Sequence, residues 1–249
     1  TVLSQVPGME INGNQSANGK NLGYYIRGGK NRQVLILIDG IRLNNSTFRY
    51  GPNQYLNTID PFSLDKIEVL RGSGSVAYGS DALGGTVQLS TLNPSFSEKV
   101  KVNFSALTRF ASSDMEKTLH SDFIFTNKNI AIKTGLSIRD FGDIVGGNAT
   151  GKQFPTGYKE LAFDFKGKFK LSKNWETTIA HQFVQQKNIP LYYRIYLENF
   201  LINEFNPQKR SLSYYKLNGK TGKKLLKTID LTASLQNTSE QRNSQKKGN

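Results

Sequence analysis

The sequence predicts an α+β domain followed by antiparallel transmembrane β-barrel strands that form an incomplete barrel. The first 93 residues are dense in glycine and contain short apolar strands separated by turn signals. From residue 94 onward, segments of about ten residues alternate apolar and polar side chains, as tilted membrane strands do. The links between these segments alternate between short and long, which is typical of outer-membrane barrels. We therefore predict two domains, 1–93 and 94–249.

Three segments define the predicted α+β domain. VLILID (34–39) is a continuous apolar run, as in a strand buried on both faces. Asp60 and Pro61 predict a helix start, with Asp60 as the N-cap and Pro61 at the first helical position. SLDKIEVL (63–70) then leads from that turn into another strand. Turns are predicted at Gly28-Gly29, Asp39-Gly40 and Gly84-Gly85.

About seven strands are predicted after Pro94. Alternation is strongest at 100–110, 130–139 and 160–171, and weaker at 118–126, 175–184, 212–219 and 228–236. The links at 126–129 and 172–174 are tight, whereas 141–158 and 188–210 are long. A soluble β-sandwich can imitate any one of these strands, but its loops need not alternate in this way. The pattern therefore favours the barrel.

Composition excludes several classes of protein. The longest apolar run, 34–38, is far too short to cross a membrane as a helix. The absence of cysteine from the 249 residues excludes disulfides and thiolate sites. The net charge of +14 raises the alternative of nucleic-acid binding. Lysines such as Lys166, Lys168 and Lys170 are spread along a strand, however, which favours solvated charge on lumen, loop and lipid-facing surfaces. We expect no nucleic-acid partner.

No catalytic, metal or cofactor site is predicted. The segment RGSGSVAYGSDALGG (71–85) lacks both G-x-G-x-x-G and Gly-Lys-Ser/Thr, so its glycines are interpreted as packing and turn residues. His120 shares a strand face with Asp122 and is expected to point into a lumen. His181 shares the apolar face with its neighbours, and no Ser/His/Asp arrangement can be identified from the sequence. We expect no enzyme activity.

Residues 1–92 resemble the plug domain of TonB-dependent outer-membrane receptors of Gram-negative bacteria. The resemblance rests on YYIRGG (24–29), VLILIDGIRLN (34–44) and IDPFSLDKIEVLRGSGSVAYGSDALGGTVQLST (59–91). It implies a plug that gates a barrel of about 22 strands and is pulled by the periplasmic TonB complex. The TonB-contacting segment would precede Thr1, and the opening TVLSQVPG lacks a signal peptide. We therefore expect a fragment, truncated at its N-terminus, that does not transport alone.

The resemblance also implies roles for particular residues. Plug–barrel ion pairs are expected at Arg27, Asp39, Glu68 and Arg71. Substrate-contacting plug loops are expected to include Asn44, Asn45, Phe48, Arg49, Tyr50, Asn53 and Gln54.

The aromatic stretch 189–205 has three open interpretations: an interfacial girdle, a loop helix, or an extracellular loop that contacts ligand. Its candidate contact residues are Tyr192, Tyr193, Arg194 and Tyr196.

A looser resemblance concerns the cargo. QQKNIPLYYR (185–194) and NPQKRSLSYY (206–215) resemble segments of the heme, hemoglobin and transferrin receptor branch. The predicted function is import of an iron complex, with heme as the expected ligand. Siderophore or cobalamin receptors of the same family, and a non-transporting binding or adhesion protein with a plug-like domain, are the alternatives. The expected partners are the TonB complex, the iron complex or heme, and outer-membrane lipid.

Overall fold

The first unit is built on a four-stranded sheet. The computed structural model describes residues 6–7, 9–12, 23–26, 33–43, 56–79, 82–147 and 149–248. The sheet has the order β4-β3-β6-β5, in which β3 and β6 are parallel and the other pairs antiparallel, and β1 pairs separately with β2. The strands are β1 (Met9–Asn12), β2 (Gly23–Ile26), β3 (Val34–Ile38), β4 (Ile41–Arg42), β5 (Leu64–Arg71) and β6 (Gly85–Thr91), with the helix α1 at Ser75–Tyr78 and 3-10 turns at Leu56–Thr58 and Pro61–Ser63.

The predictions of a buried strand at 34–38 and of a cap at Asp60 and Pro61 are confirmed, whereas the turn predicted at Gly28-Gly29 lies outside the described residues. All five residues of β3 are buried. The Asp60 side chain accepts a hydrogen bond from the Phe62 N–H at 3.1 Å, and Pro61 opens the 3-10 turn. Gly85 is required by close packing, since a Cβ there would lie 2.6 Å from both Ile26 Cδ1 and the Leu70 carbonyl oxygen.

The second unit is one antiparallel sheet whose long strands follow each other in chain order. It runs β7-β8-β9-β12-β13-β15-β16, with β7 and β16 at its two edges in the described part of the chain. The elements are β7 (Lys101–Ala111), β8 (Glu116–Thr126), β9 (Ile130–Phe141), β10 (Ile144–Val145), β11 (Lys152–Gln153), β12 (Tyr158–Lys170), β13 (Trp175–Lys187), β14 (Ile189–Pro190), the helix α2 (Tyr192–Leu197), β15 (Phe200–Lys220) and β16 (Thr228–Lys246).

Each predicted alternating segment lies in one of these strands, but β15 begins much earlier than expected. The stretch 188–210 was predicted to be a long connection, and its second half is strand. Pro207 conceals this strand, because proline interrupts a strand pattern. The ladder with β16 shifts register between Phe205 and Gln208, so a bulge accommodates the proline.

The connections differ in length at the two ends of the sheet. The links 127–129, 171–174 and 221–227 lie at one end, which we call the short-turn end. The links 112–115, 142–157 and 188–199 lie at the other, the long-loop end. The predicted tight turns at 126–129 and 172–174 and the predicted long link at 141–158 are found, and the second long link is shorter than predicted. The alternation of short and long links is not strict, because the link 112–115 is shorter than the link 221–227.

The two faces of the second sheet have inverted polarity. On the inner face, which covers the first unit, Lys133 and Arg210 are each only 1% exposed. On the outer face, Ile138 is 52% exposed, and Leu136, Leu161 and Phe163 are also exposed. A sheet that faces water buries its apolar side instead. The observed arrangement matches a membrane barrel wall, with apolar side chains outward and polar ones inward.

No helix in the described residues is long and apolar enough to span a membrane.

The main apolar core lies inside the first unit, where β3 and β6 contribute Val34, Ile36, Ile38, Val87 and Leu89. The second sheet adds Ala180, Leu212 and Tyr214 to it. This shared core positions the first unit against the inner face.

Candidate functional site at the docking face

The docking face is the surface where the first unit meets the inner face of the second sheet. It holds three contacts, each defined here by its residues. The Asp39 cluster consists of Asp39, Thr91, Lys166, Tyr214 and Lys216. The Asp60 cluster consists of Asp60, Phe62, His120, Asp122 and Ser137. The turn contact joins Asn57 and Thr58 to Gln186 and Arg210.

The Asp39 cluster places a carboxylate of the first unit among cations of the second. Asp39 directly follows β3, and its Oδ2 lies 3.3 Å from Lys166 Nζ and 2.9 Å from the Tyr214 hydroxyl that donates to it. Thr91 donates to both carboxylate oxygens, from its N–H at 2.9 Å and its hydroxyl at 2.7 Å. Lys216 Nζ donates to the Asp39 carbonyl oxygen at 2.5 Å. The side chains of Asp39 and Lys166 are almost fully buried, so each charge depends on its partner.

The Asp60 cluster is a linear hydrogen-bonded chain. Asp60 Oδ2 accepts a hydrogen bond from Ser137 Oγ at 2.5 Å, and Ser137 Oγ lies 2.7 Å from His120 Nδ1. His120 Nε2 lies 2.8 Å from Asp122 Oδ2. The Phe62 ring stacks on the imidazole with ring centroids 5.1 Å apart. The cluster therefore links the first unit to β8 and β9.

Ion pairs on the inner face continue from this cluster. Lys133 Nζ lies 3.0 Å from Asp122 and 2.6 Å from Asp164. Arg139 bridges Glu116 at 3.3 Å and Glu160 at 3.0 Å. Pairing of this kind makes buried charges tolerable away from water.

The turn contact uses backbone groups of the first unit. Gln186 Nε2 donates to the Asn57 carbonyl oxygen at 2.8 Å and to Glu160 at 2.6 Å. Arg210 Nε donates to the Thr58 carbonyl oxygen at 3.0 Å, and Arg210 Nη2 donates to Gln182 Oε1 at 3.0 Å. The 3-10 turn at 56–58 is thus held by side chains of β13 and β15.

The predicted ion-pair residues lie in different places. Asp39 contacts the second unit, as described above. Glu68 is paired at 2.6 Å with Lys66 on the same strand, and Arg71 donates to the Pro7 carbonyl oxygen at 3.2 Å. The contacts seen for Glu68 and Arg71 thus stay within the first unit. Arg27 lies outside the described residues.

Of the predicted substrate-contacting residues, those in the plug loops lie outside the described residues, whereas those of the aromatic stretch are described. The candidates between residues 44 and 54 lie outside the described residues: Asn44, Asn45, Phe48, Arg49, Tyr50, Asn53 and Gln54.

The other four candidates lie on or beside α2 at the long-loop end, which corresponds to the loop-helix interpretation. The rings of Tyr192 and Tyr196 stack with centroids 5.7 Å apart, and Tyr196 is 74% exposed. Arg194 donates to the Tyr193 hydroxyl at 2.8 Å, and this hydrogen bond raises the pKa of Arg194 above its ordinary value.

Sequence reasoning missed two features of the site. Asp60 was interpreted as a helix cap only, and its second partner, Ser137, is 77 residues away in the chain. The order Asp122–His120–Ser137 resembles a hydrolase triad that the sequence did not suggest. Ser137 Oγ donates to Asp60, however, and Phe62 covers the imidazole. The Ser137 hydroxyl is therefore not available as a nucleophile, and the Asp122–His120–Ser137 arrangement is a docking contact.

The long loop 142–157 is organised around Asp143. Its Oδ1 accepts hydrogen bonds from the N–H groups of Thr156 at 2.9 Å and Gly157 at 3.2 Å, and Lys152 lies 3.2 Å from its Oδ2. Burial acts to raise the pKa of Asp143, but these hydrogen bonds and the lysine charge outweigh it and hold the pKa below its ordinary value.

A cavity of about 370 Å³ adjoins the Asp39 cluster at the short-turn end. Its lining includes Asp39, Thr91, Lys166, Lys168, Tyr214 and Lys216. The cavity places open space directly beside the ion pair that joins the two units.

Comparisons with known proteins agree with this architecture. The family model described as "TonB-dependent Receptor Plug Domain" matches residues 1–86. The vitamin B12 transporter BtuB of Vibrio vulnificus (strain YJ016) is 28% identical over 134 residues, which is 51% of this chain and 21% of the relative. The hemin receptor of Yersinia pestis is 35% identical over 94 residues, which is 37% of this chain and 13% of the relative.

The copper transporter OprC has a similar solved structure. It superposes with a TM-score of 0.75 at 16% identity, over 95% of this chain and 34% of the other. At that identity the likeness shows the fold alone. The chain thus spans about a fifth or less of the curated relatives and a third of the solved structure. The matched proteins are receptors and transporters rather than enzymes, and residues 1–86 of this chain are a plug domain of the TonB-dependent receptor family, followed by an antiparallel sheet with the fold of such a receptor.

Proposed function

We propose that the receptor containing this chain imports an iron complex, with heme as its cargo, across a bacterial outer membrane. The first unit acts as the gate, and the TonB complex supplies the pull that opens it. The observation that carries this proposal is the polar docking face, which joins the two units through buried hydrogen bonds and ion pairs.

Polar contacts suit a gate because water can replace them. A hydrogen bond between protein groups contributes only about 0.5–1.5 kcal/mol net, since both groups bond to water when they separate. Many such contacts hold the closed state, and the inner face that is uncovered on opening is polar apart from the apolar patch around Ala180 and Leu212. The cavity beside Asp39 gives water a place from which to enter.

The outer face supports a membrane location. Its exposed apolar side chains suit hydrocarbon, and outer-membrane barrels expose the same type of surface to lipid. Placement in the outer membrane of a Gram-negative cell follows from this proposal, with lipid covering Leu136, Ile138, Leu161 and Phe163.

The α2 loop supports a heme cargo. A tyrosine phenol can bind heme iron, and an arginine can pair with a heme carboxylate. Tyr196 is exposed beside Arg194 at the long-loop end. The hemin receptor relative adds to this argument, whereas the BtuB relative supports the alternative cargo, cobalamin.

The cargo is tested by titrating the purified full-length receptor with heme, cobalamin and a ferric siderophore. We expect a shift of the Soret band with heme, and about tenfold weaker heme binding in Tyr196→Phe, equivalent to about 1.4 kcal/mol. Tyr215→Phe, on the outer face, is the matched control. Tight binding of cobalamin or of the siderophore, without binding of heme, would show that heme is not the cargo and that the bound compound is.

Transport is tested separately by uptake into cells. We expect radiolabelled iron from heme to accumulate only when both the receptor and TonB are present. Binding without TonB-dependent uptake would favour the non-transporting surface protein instead.

A further inference from the structure

We infer that His120 is a proton-binding site, and that docking of the first unit onto the second sheet takes up one proton there. This inference depends on the docking face alone and not on the cargo. It follows from counting the protons in the Asp60 cluster.

The chain Asp60–Ser137–His120–Asp122 contains three close contacts between polar atoms. Their lengths are 2.5 Å, 2.7 Å and 2.8 Å, and each is a hydrogen-bond distance that requires one proton between its two atoms. Ionised carboxylates accept only. The Ser137 hydroxyl supplies one proton and a neutral imidazole supplies one. Two protons cannot serve three contacts, so the docked chain holds a third.

The direction of each hydrogen bond shows where the third proton is needed. Ser137 Oγ donates to Asp60, so Ser137 must accept from His120 Nδ1. A neutral imidazole with its proton on Nδ1 would then present the bare Nε2 to Asp122 Oδ2 at 2.8 Å. A second proton, on Nε2, converts this contact into a charge-assisted hydrogen bond.

The surroundings favour a cation at His120 over a protonated carboxyl. Imidazole is ordinarily more basic than a carboxylate by more than two pH units. Lys133 contacts Asp122 directly and so supports its ionised form. The Phe62 ring stacked on the imidazole also favours a cation.

The charge balance around His120 points the same way. Among the described residues, the hydrogen-bonded and ion-paired network that contains His120 holds three carboxylates, of Asp60, Asp122 and Asp164, and one cation, Lys133. Other buried charges on the neighbouring strands are paired among themselves: Glu116 and Glu160 with Arg139 and Arg109, and Lys166 with Asp39. A protonated His120 reduces this negative excess.

The proton is coupled to docking because Asp60 belongs to the first unit. When the units separate, Ser137 loses Asp60 and can donate to His120 Nδ1 itself. The neutral imidazole then satisfies Asp122 through an Nε2 proton. The extra proton is then no longer needed by any hydrogen bond of the chain. The docked state thus holds one proton more than the separated state, and docking weakens as the pH rises.

Asp60→Asn tests the proton count with almost no change of shape. The asparagine still caps the 3-10 turn with its oxygen. Its amide nitrogen donates to Ser137, Ser137 then donates to His120 Nδ1, and His120 donates from Nε2 to Asp122. All three hydrogen bonds are satisfied by a neutral imidazole. Asp65→Asn, an exposed position on β5, is the matched control.

The first measurement is nitrogen-15 NMR of the histidine-labelled full-length receptor at pH 7.5, with His120 identified by signal loss in His120→Gln. We expect near-equal shifts of the two ring nitrogens in the wild type, as in an imidazolium, and widely separated shifts in Asp60→Asn. A neutral imidazole in the wild type would overturn the inference whether or not any variant folds.

The second measurement is the docking equilibrium from hydrogen exchange of β3 between pH 6 and pH 9. In the wild type and in Asp65→Asn, we expect the docking equilibrium constant to fall by up to about tenfold for each pH unit at the alkaline end of this range. In Asp60→Asn we expect this constant to change little with pH. Equal pH dependence in Asp60→Asn and the wild type would also overturn it. Cargo binding and uptake need not change in either case.

Discussion

Lys166 and Asp39 form an ion pair across the docking face, 3.3 Å apart, with both side chains less than a tenth exposed. Removing one partner leaves the other charge buried and unpaired. We expect Lys166→Met to destabilise docking by about 3–5 kcal/mol. The double variant Asp39→Asn with Lys166→Met should recover part of that loss. Hydrogen exchange of β3 in the full-length receptor measures both.

The exposed pair Lys66–Glu68 is the control for this prediction. Its side chains are more than half exposed, so Lys66→Met should cost only about 0–1 kcal/mol. If Lys166→Met lowered the free energy of docking no more than Lys66→Met does, the prediction that the Asp39–Lys166 ion pair is buried and stabilises docking would be contradicted.

Gln186→Leu tests the turn contact. The substitution removes a side-chain donor to the Asn57 carbonyl oxygen and to the buried Glu160 carboxylate. We expect a loss of about 1–3 kcal/mol, because two hydrogen bonds across this contact are lost and an apolar side chain faces the carboxylate. Protection of residues 56–60 from exchange is the measurement. Gln185→Leu, on the outer face of the same strand, should leave that protection unchanged.

Gly135→Ala tests the packing of the inner-face ion pairs. A Cβ at Gly135 would lie 2.4 Å from Asp164 Oδ1 and 2.7 Å from Lys133 Nζ. We expect a loss of about 1–3 kcal/mol from this overpacking, measured by denaturant unfolding. Gly147→Ala is the control, since nothing lies within 4 Å of a Cβ there. Equal stabilities of the two variants would show that the ion pairs can shift without cost.

Asp143 gives the loop 142–157 an acid sensitivity. Its pKa is lower in the folded loop than in an unfolded chain, so its ionised form stabilises the loop. That stability is present above the ordinary carboxyl pKa of about 4 and is lost as the pH falls below it. A spin label at Gln153→Cys should therefore become mobile on acidification below about pH 4.

The control for the loop is Asp140→Asn, which removes a more exposed carboxyl beside the same loop. In Asp143→Asn the label should be mobile at every pH, whereas in Asp140→Asn the wild-type transition should remain. An acid transition that persists in Asp143→Asn would assign it to another group.

The sequence predicted local features well and long-range partners poorly. Period-two alternation predicted the strands because each strand has one polar and one apolar face. Asp60 was identified as a cap from Pro61 beside it, but its bond to Ser137 depends on how two distant segments meet. Asp39 was proposed through the family resemblance, and its partner Lys166 lies on β12, which no local pattern links to it. Pro207 concealed the first half of β15 because its bulge is visible only in the paired ladder.

The docking contacts are distributed over different strands of the sheet. The Asp39 cluster is fixed to β12 and β15, and the Asp60 cluster to β8 and β9. Under the proposed function, a force applied at one edge of the first unit would load the nearer cluster first and would reach the other only after the first had parted. The unit would then separate from the sheet in stages, and the peak force would be set by one cluster rather than by the sum of both.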